Sequence, residues 1–120
     1  MQTSNGYGDV TQGFRRGSAR VVITSSTADN ELVAAPGIGF KVCYSAHAIS
    51  NYHASTTTEV HFKSASTIKT THSAPFKGGN EKEWPHAIEC AENEALNCAT
   101  VDSIDRVTVS VSYFIKAITV

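Results

Sequence analysis

Residues 104–118, IDRVTVSVSYFIKAI, decide the fold class. Val107, Val109, Val111, Tyr113 and Ile115 alternate with Thr108, Ser110, Ser112 and Phe114. A period of two puts the members of each set on opposite faces of an extended chain. A strand this long with one apolar face needs partners on both sides.

Working back from it, the same alternation recurs in shorter pieces. EVHFKS (59–64) turns Val60 and Phe62 inward and Glu59, His61 and Lys63 outward; Ile68 continues the theme in TIKTTH. IGFKVCYSAHAI (38–49) reads as a long central strand with Ile38, Phe40, Val42, Tyr44, Ala46 and Ala48 on one face. Lys41, Cys43, Ser45 and His47 then fall on the other. RVVITSST, from Arg20, reads as a first strand, followed by turn chemistry at Asp29-Asn30, the short ELVAA, and a break at Pro36-Gly37. HAIECAENEALNCAT tolerates a helix by composition. Ile88 and Cys90 before the AENE turn, and Leu96 and Cys98 after it, instead predict strand, acidic turn, strand. Pro75 and Gly78-Gly79-Asn80 mark a further turn or wide loop, and Trp84, beside a charged cluster and Pro85, is expected at a strand edge.

Several short strands separated by turns predict an all-β domain, an antiparallel β-sandwich or jelly roll. Composition agrees: thirteen serines and thirteen threonines accompany the many β-branched apolar residues, and charged residues make up only 18% of 120. The length fits one domain. Residues 1–19, MQTSNGYGDVTQGFRRGSA, follow neither period and are expected to be an extended N-terminal arm, with the sandwich at 20–120. The scattered Tyr7 and Phe14 with Arg15 and Arg16 suit docking onto a neighbour, and Trp84 joins them as a candidate contact residue.

The residues point away from several function classes. A formal net charge of −1, with only Arg15, Arg16 and Arg20 clustered, gives no basic stripe for specific nucleic-acid binding. Apolar runs fall short of the ~20 residues a membrane helix needs, and the N-terminus lacks a signal-peptide pattern, so a soluble, unsecreted product without membrane partners is expected. Cys43, Cys90 and Cys98 lack zinc spacing; they are either buried thiols or one disulfide with a spare. His47 and His61, expected on outward faces of neighbouring strands, and His86 four residues before Cys90, make no compact ligand set, so no metal is expected. No G-x-S-x-G elbow, phosphate loop or dinucleotide fingerprint occurs; catalytic residues and cofactors are expected to be none.

From residue 20 onward the order of pieces resembles small structural proteins of tailed bacteriophages, including head-decoration (cement) components. The resemblance covers about 100 residues and rests on ITSSTADNELVAAPGIGFKVCYSAHAI, TTTEVHFKSAS and GGNEKEWPHAIECAENEALNCATVDSIDRVTVSVSYF. Gly78, Gly79, Trp84, Glu92, Asn93, Glu94, Ala95, Leu96 and Asn97 sit at matching places. Pro85, the three cysteines and the charged EKE depart from the pattern. The resemblance implies a capsid decoration protein, a homotrimer bound to the major capsid protein on the outer surface of the head, present in host cytoplasm before assembly. A tail-associated or receptor-binding virion module is the alternative, and a small enzyme a distant second.

Overall fold

In a computed structural model, residues 14–118 are described. They form eight strands: β1 Phe14–Thr24, β2 Asn30–Val33, β3 Phe40–Asn51, β4 Thr58–Ser64, β5 Thr67–Ala74, β6 Gly78–Glu89, β7 Leu96–Thr100 and β8 Asp105–Ala117. Two antiparallel four-stranded sheets result, ordered β1-β8-β3-β6 and β2-β7-β4-β5. The pairs β1–β8, β2–β7, β3–β6 and β4–β5 are rungs of one long hairpin, wound so that successive rungs alternate between sheets. That winding is the jelly roll, the second of the two all-β architectures expected.

The opening stretch behaves as its period dictates. Val107, Val109, Val111 and Ile115 of β8 are buried, and β8 lies between β1 and β3. Opposite them stand Ile23 of β1 and Val42, Tyr44 and Ile49 of β3, while Val60 and Phe62 of β4 and Leu96 and Cys98 of β7 fill the facing layer. The acidic turn between β6 and β7 is also where the sequence placed it.

Two readings are corrected. Residues 14–19, assigned to the arm, are the first half of β1, paired from Phe14↔Lys116 to Ala19↔Val111. Gly17 masks the period there: a Cβ on it would come within 2.7 Å of the Tyr113 hydroxyl, so the ring occupies the space a side chain would take. Only residues 1–13 of the arm remain, and these, with Tyr7, lie outside the described residues.

The second correction concerns β3. Register slips between Tyr44 and Ala46, a β-bulge at Ser45 that reverses which residues face inward. Val42 and Tyr44 point into the core before it; His47, Ile49 and Asn51 do so after it, leaving Ala46 and Ala48 on the outer face. Ile38, expected to share the apolar face of this strand, precedes it and is exposed. β6 accommodates the same bulge by looping out between Glu83, opposite Ala46, and Ile88, opposite Tyr44, which places Trp84 and Pro85 on an edge strand.

At the other end of β6 the strands approach closely. A Cβ on Gly79 would lie 2.4 Å from the Ile49 carbonyl oxygen, a backbone atom that no side-chain rotation can move. Gly79→Ala is therefore expected to prise β6 from β3 and lower stability by about 1–3 kcal/mol, read as a reduced midpoint in urea unfolding.

Candidate interaction surfaces

The wound hairpin gathers its loops at two ends. One end holds residues 34–39, the β4–β5 turn and residues 90–95, together with the start of β1. The Gly37 amide donates to the Asn93 side-chain oxygen at 2.9 Å and the Gly39 amide to the Glu92 carboxylate at 2.7 Å. The Asn93 amide returns a bond to the Phe40 carbonyl, while the Ser64 hydroxyl donates to Glu94 at 2.6 Å. The acidic turn is thus a lock: its carboxylates accept backbone and hydroxyl hydrogens that would otherwise lack partners at a strand end.

The opposite end carries residues 25–29, 52–57, 75–77 and 101–104. Asn51 organises it from inside, donating to the Thr56 and Ala74 carbonyls and accepting from the His53 amide, each at 2.9 Å. Above this satisfied network Tyr52, Phe76 and Val101 are exposed, with the Arg106 guanidinium 4.6 Å from the centre of the Tyr52 ring. None of these residues stood out in the sequence. Only loop pairing brings them to one end.

The candidate contact residues do not converge. Arg15 and Arg16 are exposed on β1, stacked over the rings of Phe40 and Phe114 at 5.9 and 5.6 Å, and Phe14 opens the same strand. Trp84 lies on β6, at the opposite edge of that sheet, half-buried beneath the Lys82 ammonium at 4.6 Å. Its indole is less a free contact than the rim of an aromatic cluster linking the sheets. His47 and His72 stack with ring centres 4.0 Å apart, Phe62 lies 5.3 and 5.5 Å from them, and Tyr44 lies 5.4 Å from Phe62.

The cluster corrects the expected placement of His47. The bulge turns it inward, and His61 belongs to the other sheet, so the two do not share an outward face. The Asn80 amide nitrogen donates to the Ser73 carbonyl at 3.1 Å, so its oxygen faces His47 Nε2 at 2.8 Å and that nitrogen carries the proton. His47 Nδ1, His72 Nε2 and Trp84 Nε1 are buried without a hydrogen-bond partner among the described residues. Burial pushes the His72 pKa down to about 4, helped by His47 and the Lys82 charge; burial also lowers that of His47.

Cys43, Cys90 and Cys98 are free and buried, which selects the thiol alternative. Burial raises all three, Cys90 to about 11 and Cys98 to about 12, so they stay protonated and unreactive at neutral pH. Among the described residues no group of three or more His, Cys, Asp or Glu could hold a metal ion, and no helix is long and apolar enough to cross a membrane.

No protein-family model matches the chain, and no curated protein matches it. Among solved structures it is similar to a chain in the cryo-EM structure of the giant freshwater prawn Macrobrachium rosenbergii extra small virus (XSV) virus-like particle. The two share 11% identity at a TM-score of 0.39, over 98% of this chain and 88% of that one.

Proposed function

We propose that this chain is a virion structural protein, a decoration protein that binds the assembled head shell of a tailed bacteriophage through its major capsid protein, with no catalytic activity of its own. The observation that carries the reading is the lock at one end of the sandwich. APGIG and AENEALN, two of the pieces that resemble phage decoration proteins, are more than 50 residues apart in the chain yet hydrogen-bonded to each other through Glu92 and Asn93. The resemblance thus covers a spatial unit as well as an order of motifs. Jelly rolls are also a recurrent architecture of viral shells.

A decoration protein acts by linkage: binding the assembled shell and not its separated subunits adds RT ln(1 + [L]/Kd) per site to shell stability. The resemblance implies three copies per unit, which would combine three attachments into one avid contact. Residues 1–13 join the domain at the locked end, and that end is the side we assign to the shell.

The experiment mixes undecorated shells with the full chain or with one beginning at Phe14, a boundary that keeps β1 whole. Full-length chain should bind and raise the temperature at which shells open; loss of residues 1–13 should weaken binding at least about tenfold. Equal binding would remove the arm from the mechanism. Failure of the full chain to bind would overturn the decoration role and favour a tail-associated or receptor-binding module. The exposed Tyr52, Phe76 and Val101 at the far end are the surface such a module would use.

A further inference from the structure

In its middle rows the outward face of β1-β8-β3-β6 carries charge only in two columns, one along each edge, whereas nearer the locked end Lys41 and Lys116 of the central strands are also on it. Residues directly opposite in register share a face, so one row runs Arg20, Ser110, Ala48, Glu81 and the next Ser18, Ser112, Ala46, Glu83. Arg16 extends the basic column along the β1 edge. Glu89 also lies on this face, but it is already paired with Lys41 and Lys116. Arg20, Glu81 and Glu83 are exposed and form no ion pair among the described residues. Between the columns the surface is a shallow trough lined by short, uncharged side chains, among them Ser18, Ala46, Ala48, Ser110 and Ser112.

We propose that this face is the docking surface for further copies of the chain: the basic β1 edge of one copy meets the acidic β6 edge of the next, and three copies close a ring. The proposal deepens the threefold unit named above and rests on it. Opposite charges at opposite edges are what a head-to-tail contact requires, since every copy then satisfies both of its columns. Strands alternate in direction across the sheet, so β1 and β6 run oppositely. Rotation about an axis parallel to the strands therefore brings β6 of the neighbour antiparallel to β1 with the rows aligned, Arg20 facing Glu81.

Shape agrees with charge. Four strands span about 19 Å, so three such sheets facing a common axis put their middles about 5 Å from it and their edge columns about 9 Å away. In the rows through Arg20 and Ser18, room is least where the chain places Ala and Ser and greatest where it places Arg20, Glu81 and Glu83. The face, about 35 Å long, offers roughly 700 Å² per copy, divided between the two neighbours that each copy meets in the ring. Ring closure also covers both open edges of the sheet.

The test measures mass by light scattering and sedimentation across a concentration series at low salt. Wild type should be trimeric. Arg20→Glu and Glu81→Arg, both exposed and expected to fold normally by urea melts, should each raise the dissociation midpoint at least about tenfold. Both changes in one chain should restore the trimer, because each contact regains an opposite pair. An equimolar mixture of the two single variants should not restore it, since a ring of three cannot alternate two kinds of copy. A monomeric wild type, unaffected single variants, a double variant that stays dissociated, or a mixture that recovers would each overturn the ring. Shell binding on the same samples separates the two ideas: a trimer that ignores shells defeats decoration alone, and a monomer that decorates shells defeats the ring alone.

Discussion

Phe62→Ala is expected to remove about 3–5 kcal/mol of stability, a large part of the roughly 5–15 kcal/mol available to a domain of this kind. Phe62 is fully buried on β4, and its ring lies 5.3–5.5 Å from those of Tyr44 and His47 of β3 and His72 of β5, two strands that belong to different sheets. Truncation removes the apolar area and leaves a cavity that β-sheet neighbours cannot collapse into, because their positions are fixed by ladder hydrogen bonds. Urea unfolding at pH 7 reads the effect as a lowered midpoint with little change in slope. Phe62→Leu keeps most of the volume and should lose less than about 1.5 kcal/mol. If Phe62→Ala lost no more than Phe62→Leu, the ring cluster would not be what joins the sheets on this side.

The same cluster shows which parts of the fold could be read from sequence. β8 and β4 declared themselves because each keeps a period of two, and a half-buried strand allows no other pattern. The extra residue at Ser45 gave no such sign: the stretch alternates on either side of it, and a bulge only shifts the phase. Continuing the alternation through that point put Ala46 and Ala48 inside and His47 outside, the reverse of what happens. β1 was half-hidden because Gly17 supplies no side chain to the pattern and takes its meaning from the Tyr113 ring across the sheet.

Surface sites were less readable for a related reason. Trp84 falls on an edge strand as expected, while Arg15 and Arg16, read as part of the arm, fall on the other edge, and sequence could not say that the two edges belong to one sheet with opposite charge. That follows from the order β1-β8-β3-β6, which joins segments nearly a chain length apart. Tyr52, Phe76 and Val101 likewise sit in three separate polar connections and meet only through the winding of the hairpin. The acidic turn was recognisable by its composition, but its function as a lock depends on amides of residues 34–39.

Acidification should unfold this protein more readily than its carboxylates alone would require, and His72 is the reason. Its folded pKa lies near 4, below the ordinary 6.5, because protonation would put a charge among buried rings already facing the Lys82 ammonium. In the unfolded chain the imidazole is free to protonate near 6.5. Between pH 6.5 and 4 the unfolded state therefore binds more protons, and stability falls as pH falls. The contribution is intact above pH 6.5 and fully lost below about 4. A drop from 6.5 to about 4 corresponds to about 3 kcal/mol for His72, and His47, lowered in the same direction, adds to it. Unfolding free energies from urea titrations at pH 7, 6, 5 and 4 should show this slope. His72→Phe fills similar space and gives up no hydrogen bond that the structure shows, so it should keep its stability at pH 7 and lose most of the dependence between 6.5 and 4. A variant that retained the wild-type slope would move the acid response from this cluster to the carboxylates. The acid response and the packing effect are connected, because the environment that keeps His72 neutral is the one Phe62 helps to keep dry. Phe62→Ala should admit water beside the imidazole, bring its pKa back toward 6.5, and flatten the slope while lowering stability at every pH.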